Sequence, residues 1–493
     1  MQRLSGLDAM FFYIETPSAH MHVTGVYVLE PGKDGLSFGS VRDLVSRRLP
    51  LAGVLRRRIV EVPLRLYHPV WVEDPGFDLD YHLRRAALPA PGGMHELQDL
   101  VSELTSLPLD RRRPLWEMYV VEGLESGRVA VVGKMHHAAI DGISGAETMA
   151  TLFDLEPHPP RIPIPDPWRP EAIPTEAELL AVAMAALVGH PMRAARTALR
   201  IAESVLNVSE HNGQPGVTPP PSPFSAPKTR INQALTPDRG VAFAEMSLDD
   251  LKVVRRWFAC TVNDVVLGAC AGALRAYLSG TGDLPAEPLV ALVPVSVRAG
   301  DGKDPLGNRL SAMLTSLGTE LPDPGERLVA IAAGMRAAKD QERLIGAEAL
   351  TGWTELALPG LIGRAARLVS STRVFDHLRP AFNLTISNVP GPPVPLFFAG
   401  SRLVAVYPLG PLAEGAGLNI TVMSYCGRAF FGLSACKETV PCLSELAMLL
   451  DDSLAELLAL CGGSGRPSAR ASPRTASASA RRWHSPGDRR LPR

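Results

Sequence analysis

A chain of 493 residues is too long for one compact core, and its length points to two domains. A hydrophobic share of 46% is ordinary for a globular protein, while a formal net charge of -1 argues against a nucleic-acid binder. The six cysteines form no C-x-x-C pair and all fall in the second half, so they read as reduced, mostly buried thiols of a cytosolic protein.

The chain opens without an apolar run of signal-peptide type. Residues 4–16 read as a short helix before a turn at Pro17, and residues 20–29 as a strand. His20 and His22 share a face of that strand, a spacing that suits a metal, but with no third ligand nearby a packed or solvated pair is favoured. Residues 41–49 form a helix candidate, 71–74 a strand end, and 77–83 alternate as an edge strand would. Residues 95–105 carry Leu97, Leu100, Val101 and Leu104 on one helical stripe. Arg111, Arg112 and Arg113 suggest either an anion site or a solvated loop. Pro114, Leu115 and Trp116 read as a rigid turn leading into a strand over 116–121, paired beside the strand that comes next.

That next strand, residues 128–133, is valine-rich and runs into Lys134-Met135-His136-His137-Ala138-Ala139-Ile140-Asp141-Gly142. A helix over 143–153, with Ser144 as its N-cap, is expected after it. Histidines at a strand end are held by the sheet yet remain reachable, and neighbours on an extended backbone point to opposite faces. His136 and His137 should therefore do different jobs rather than bind one metal. An imidazole titrates near neutrality, so one lining a pocket takes a hydroxyl proton and returns it. Asp141 is placed to lock the turn.

Prolines dominate residues 156–174 and mark a domain edge. Residues 176–208 read as one or two helices. The second, 192–206, carries Arg193, Arg196 and Arg200 and suits either an anionic membrane or packing on the protein. Residues 211–228 read as a linker. The second half opens with a strand over 240–246 and a helix capped by Ser247, then a helix whose start, Asn263-Asp264, is compatible with capping. Strands over 289–297 and 383–392, helices over 326–343 and 361–378, a hairpin about Cys426-Gly427 and a closing helix over 443–460 follow. The most apolar helix candidate, 179–188, is too short to span a bilayer, so a soluble or peripherally attached protein is expected. From residue 462 the composition is Ser, Ala, Pro and Arg, as in a disordered tail.

His137-x-x-x-Asp141-Gly142 resembles the active-site signature of the CoA-dependent acyltransferase superfamily, which includes chloramphenicol acetyltransferase and peptide-synthetase condensation domains. The doubled histidine of the HHxxxDG motif, Pro114-Leu115-Trp116, Asn263-Asp264, the segment 293–298, Gly307-Asn308 and the segment 387–392 are similar to motifs of the bacterial wax ester synthase/diacylglycerol acyltransferase family. The resemblance runs over about residues 4–460. It implies an α/β fold of two chloramphenicol-acetyltransferase-like domains with the active-site tunnel between them. The expected divisions are 1–160, a helical and Pro-rich linker 161–235, a second acyltransferase domain 236–461 and the tail 462–493.

The resemblance also implies a long-chain acyl-CoA as co-substrate, with diacylglycerol or a long-chain alcohol as acceptor. The products are then triacylglycerol, a storage lipid, or wax ester, made at a membrane or lipid-droplet surface in the cytoplasm with no bound cofactor or metal; the oligomeric state is left open. In this reading His137 is the general base, His136 supports it, Asp141 orients the turn with Arg298 as one candidate partner, and Asn263 donates to the oxyanion. Gly142 and Asp264 complete their motifs. Two rivals are a related CoA- or carrier-dependent acyltransferase with another acceptor, and a non-catalytic lipid-droplet protein. No serine elbow, Walker loop or dinucleotide fingerprint is present.

Overall fold

A computed structural model of the chain describes residues 2–32, 35–140, 151–159, 172–188, 219–297, 309–345 and 359–462, with isolated positions between 199 and 212. Asp141, Gly142, Ser144, Arg298, Gly307 and Asn308, most of the 192–206 segment and the tail from 463 onward lie outside the described residues.

The first half runs β1 (Gln2–Arg3), α1 (Gly6–Ile14), β2 (His22–Glu30), α2 (Phe38–Arg48), β3 (Arg57–Val60), β4 (Val70–Glu73), α3 (Leu79–His82), β5 (Leu83–Ala87), α4 (Met94–Ser106), β6 (Trp116–Glu122), β7 (Val129–His136), the single turn α5 (His137–Ile140) and α6 (Glu176–Val188). The second half runs β8 (Arg239–Ser247), α7 (Leu248–Phe258), α8 (Val262–Thr281), β9 (Val290–Val297), β10 (Arg309–Ser316), α9 (Pro324–Ile345), α10 (Pro359–Thr372), β11 (Leu384–Pro390), β12 (Phe397–Phe398), β13 (Ser401–Leu409), β14 (Leu418–Tyr425), β15 (Arg428–Cys436) and α11 (Leu443–Gly462). Strands and helices alternate in both halves, giving a mixed α/β protein built on two six-stranded sheets, ordered β12-β13-β2-β7-β6-β5 and β10-β9-β11-β14-β15-β8. A small sheet, β1-β4-β3, sits beside the first.

Local rules account for many of these elements. Ser5 caps α1 by accepting from the Asp8 N–H, and Ser247 caps α7 by accepting from the Asp250 N–H. Leu97, Val101 and Leu104 are the buried stripe of α4. Cys426 and Gly427 both take positive φ, 44° and 82°, the backbone that a two-residue hairpin between β14 and β15 requires. The expected edge strand over 77–83 is instead the turn of helix α3, because the Asp78 carboxylate accepts from the Asp80 N–H and starts it; the edge strand β5 begins at Leu83 and pairs parallel with β6.

Sheet membership does not follow the chain. β12 and β13, far along the second half, pair into the first sheet, with β13 antiparallel to β2. Gly432 on β15 permits this crossing: a Cβ there would lie 1.9 Å from the Pro408 carbonyl oxygen. Phe243 of β8 stacks on Tyr407 of β13 at 4.2 Å, and Val241, Tyr425 and Phe430 share one buried cluster with Val26, Val132 and Val406. The cysteines are unpaired, but only Cys270 and Cys436 are buried; Cys442 is exposed, contrary to the expectation of mostly buried thiols. Among the described residues no single helix is long and apolar enough to cross a membrane.

Candidate active site

The histidine strand β7 lies inside the first sheet, antiparallel to both β2 and β6. Val129, Ala130, Val131 and Val132 are buried, as expected for a strand covered on both faces. Its end is pinned from two sides. The His136 N–H donates to the Leu115 carbonyl at 2.9 Å, and the His137 N–H donates to the Met21 carbonyl at 2.7 Å, where the chain turns into α5. The Pro-Leu-Trp stretch is therefore structural at this point: Leu115 anchors the strand end, Trp116 opens β6, and the Trp116 indole N–H donates to the Leu55 carbonyl at 2.7 Å.

The two rings part as the strand geometry predicts. His137 is partly exposed and stacks on Phe11 of α1, ring centroids 3.9 Å apart. Burial of the ring, reinforced by the neighbouring His136, pulls its pKa down to about 4, so the imidazole is neutral at physiological pH. The His136 ring is almost wholly buried. Its Nδ1 accepts from the Ala138 N–H at 3.1 Å, which leaves the proton on Nε2, directed at the Glu15 carboxylate 3.7 Å away.

Nothing in the sequence around Glu15 signals its role. It follows the last turn of α1, and its carboxylate accepts from Arg111 Nε at 2.8 Å, from Arg111 Nη2, and from the Met21 N–H at 3.3 Å. Burial alone would raise its pKa, but His136 and Arg111 outweigh it and hold the carboxyl at about 2. The arginine triplet is thus not an anion site: Arg111 serves Glu15, Arg112 pairs with Asp110, and Arg113 lies over the Tyr81 ring at 4.0 Å.

His20 and His22 also find a role. Their Nε2 groups donate to the carbonyls of Ser106 and Thr105, at 3.0 and 3.2 Å. Lys134 Nζ donates to the Leu104 and Leu107 carbonyls at 3.1 and 2.9 Å and pairs with Glu117 at 3.2 Å. The pair and the lysine close the C-terminal end of α4, whose last carbonyls have no partner within the helix.

In the second half, Asn263 and Asp264 separate. Thr261 is the N-cap of α8 and Asp264 completes a reciprocal capping box with it. Asn263 takes no part in the cap. Its Oδ1 accepts from Asn388 Nδ2 at 3.4 Å, which brings the Asn-Asp motif and the 387–392 motif together. The Asn263 amide nitrogen has no partner among the described residues.

On the opposite face of β7 from His136 lies an apolar cavity of about 120 Å³, lined by Gly25, Tyr27, Gly133, Met135, Phe153 and Phe398 among others. Gly25 and Gly133 face each other across β2 and β7; the Tyr27 ring lies over Gly25, while Gly133 leaves open space on the cavity floor.

The wax ester synthase/diacylglycerol acyltransferase catalytic domain matches residues 4–266, and the WS/DGAT C-terminal domain matches residues 306–458. A putative diacylglycerol O-acyltransferase of Mycobacterium tuberculosis strain CDC 1551 is 40% identical over 93% of this chain and 90% of its own length. A probable diacylglycerol O-acyltransferase of strain H37Rv is 35% identical over 91% of this chain and 97% of its own. Among solved structures, the wax ester synthase/diacylglycerol acyltransferase from Marinobacter aquaeolei VT8 superposes with a TM-score of 0.65 at 29% identity, covering 94% of this chain and all of that one (100%). The first condensation domain of the CDA synthetase shares the fold alone, at a TM-score of 0.52 and 14% identity over 94% of this chain and 96% of that one. With both of its domain types matched along most of its length, the chain belongs to the wax ester synthase/diacylglycerol acyltransferase family.

Proposed function

We propose that this protein transfers a long-chain acyl group from acyl-CoA to the hydroxyl of diacylglycerol, making triacylglycerol, and that it also accepts long-chain alcohols to make wax esters. The observation that carries this reading is His137: an imidazole kept neutral by its surroundings, fixed through its backbone to Met21, with its ring braced by Phe11. Family membership and relatives named as diacylglycerol O-acyltransferases support the reaction class.

In this mechanism His137 removes the acceptor hydroxyl proton as the oxygen attacks the thioester carbonyl. The tetrahedral oxyanion then collapses, the carbon–sulfur bond breaks, and His137 returns its proton to the departing CoA thiolate. No covalent acyl-enzyme forms. Asn263 is assigned to the oxyanion, which its unpartnered amide nitrogen suits, and Asn388 holds the amide in that orientation. His136, Glu15 and Arg111 support the base from behind, and Asp141 orients the turn. The cavity behind β7 suits several methylenes of an alkyl chain, being apolar and comparable in size to cavities that hold small hydrocarbons. Acyl-CoA enters as a co-substrate, and association with a membrane or lipid droplet belongs to the same reading because the acceptor is insoluble.

The test is direct. Purified protein is incubated with palmitoyl-CoA and either diacylglycerol or hexadecanol, and ester and free CoA are quantified together. Free CoA without ester would mark a thioesterase and overturn the proposal.

A further inference from the structure

Helix α10 carries two unlike faces. Ile362 packs on the cluster of Leu4, Phe12 and Tyr13, Gly363 is buried beneath α1, and Ser370 Oγ donates to Glu414 Oε1 at 2.6 Å. The other face is Leu361, Arg364, Ala365 and Leu368, all exposed, at the i, i+3, i+4, i+7 spacing that usually marks a buried stripe. Leu361 and Leu368 are 60% and 63% exposed, two turns apart on the same face. Arg364 is exposed on this face; Arg367 flanks it, also exposed but with its guanidinium over Gly363 in a groove shared with Glu61, whose carboxylate pairs with Arg65. Neither Arg364 nor Arg367 makes an ion pair among the described residues, and α10 contains no acidic residue.

A second exposed leucine site adjoins this helix. The turn Pro63–Arg65 packs against α10, with Arg65 beside Gly360. Leu64 and Arg65 both have left-handed backbone, φ 57° and 53°, and Leu64 is 86% exposed. A bulky residue in that backbone region is strained, and its exposed side chain leaves apolar surface in water, a combination that calls for a functional reason. On the far side of the same turn packs α6, whose apolar stretch leaves Met184 exposed; its acids, Glu176 and Glu178, precede that stretch.

We propose that the outer face of α10 and the Leu64 turn form the surface by which this protein docks on an anionic lipid bilayer, with the leucines entering the interface and Arg364 and Arg367 meeting lipid phosphates. The charge favours this occupant, since basic residues without internal partners beside exposed leucines match an anionic, apolar-cored surface. Its place in the fold favours it as well. α10 packs on α1, and α1 packs on α5, which carries His137, so one helix separates the docking face from the proposed base. This inference rests on the reading that the acceptor is a membrane lipid.

The experiment uses the full chain in flotation with phosphatidylcholine vesicles, with or without phosphatidylglycerol. The pair Arg364→Gln/Arg367→Gln should weaken binding to the anionic vesicles roughly thirty-fold and leave binding to neutral ones unchanged. The pair Leu361→Ser/Leu368→Ser should weaken binding to both. Each variant should keep wild-type thermal stability and wild-type turnover on a short-chain alcohol dissolved in water. Unchanged flotation of the stable variants overturns the proposal, as does a wild-type chain that floats with neither vesicle. If light scattering shows the wild type dimeric and the leucine variant monomeric, the face belongs to a second copy and the proposal also fails. Loss of vesicle binding with no diacylglycerol turnover in the wild type would sustain the docking face while refuting the proposed acceptor.

Discussion

Nε2 of His136 stands 3.7 Å from the carboxylate of Glu15, a residue on a different element and far away in sequence. That carboxylate also receives Arg111 and the backbone N–H of Met21, the residue whose carbonyl holds the His137 N–H. One buried carboxylate thereby fixes both the ring of the supporting histidine and the backbone of the proposed base. Replacing it by an amide, Glu15→Gln, keeps an acceptor for Met21 but removes the charge facing His136 and Arg111. Turnover should fall about tenfold or more through misplacement, with kcat lowered more than KM is raised. Steady-state kinetics at saturating acyl-CoA check this, and unchanged kcat would show that the contact only stabilises the fold.

His137→Ala should lose on the order of 100-fold or more in ester formation, as expected for a missing general base. His137 stands in the single turn after β7 rather than within the sheet, and its stacking partner Phe11 remains, so the variant should fold. In the wild type, turnover should stay level from neutral pH downward until the imidazole takes up a proton, near the depressed value of about 4. A rate profile with its acidic midpoint at the ordinary histidine value would contradict the buried setting of the ring.

Stability should fall on acidification, in two stages. His137 and the buried His20, His22 and His82 all have lowered pKa values, chiefly through burial. The unfolded chain therefore binds more protons than the folded one as pH drops below the ordinary histidine value of about 6.5, and each step down favours unfolding. Glu15 adds a second stage: its folded value of about 2 lies below the ordinary carboxyl value of 4.5, so its stabilisation is complete above 4.5 and is lost between 4.5 and about 2. Thermal melting measured from pH 7 to pH 4 checks the first stage, and a flat Tm over that range would rule it out.

The start of α8 lets capping be separated from chemistry. Thr261→Ala removes the cap and should cost about 1 kcal/mol of stability with turnover retained. Asn263→Asp leaves the cap intact but puts a negative charge where the oxyanion is proposed to develop. Its turnover should collapse, since losing one such donor already costs about 3 kcal/mol of transition-state stabilisation. Should Asn263→Asp turn over normally, the asparagine has no part in the reaction.

Gly133→Leu probes the cavity behind β7. The nearest atom to a Cβ at Gly133 is Tyr27 Cε2 at 3.9 Å, so the backbone accepts a side chain and the added atoms project into the cavity. Transfer from palmitoyl-CoA should fall more steeply than transfer from octanoyl-CoA. Equal losses on the two donors would place the alkyl chain elsewhere.

Much of this protein could be read along the chain because the forces involved are local. The valines of β7, the Ser247 cap, the stripe of α4 and the Cys426-Gly427 turn each depend on neighbours within a few residues, and periodicity exposes them. The different surroundings of His136 and His137 were legible for the same reason: at a strand end, adjacent side chains part to opposite faces. Where capping and alternation competed, as at residues 77–83, the short-range hydrogen bond of Asp78 prevailed and the strand reading failed.

What the chain order could not reveal depends on long-range closure. Glu15 carries no motif; it matters because α1 folds against the end of β7 and leaves its carboxylate beside a buried imidazole, where an unpaired charge would be costly. The triplet of arginines looked like one feature and is three, because Glu15, Asp110 and Tyr81 reach it from different elements. β13 belongs by sequence to the second half and by hydrogen bonding to the first sheet, since β2 has a free edge to fill and Gly432 leaves room for the chain to cross. Backbone pairing is indifferent to sequence distance, so the partner of a strand edge or of a buried charge is settled only when the whole chain has closed around it.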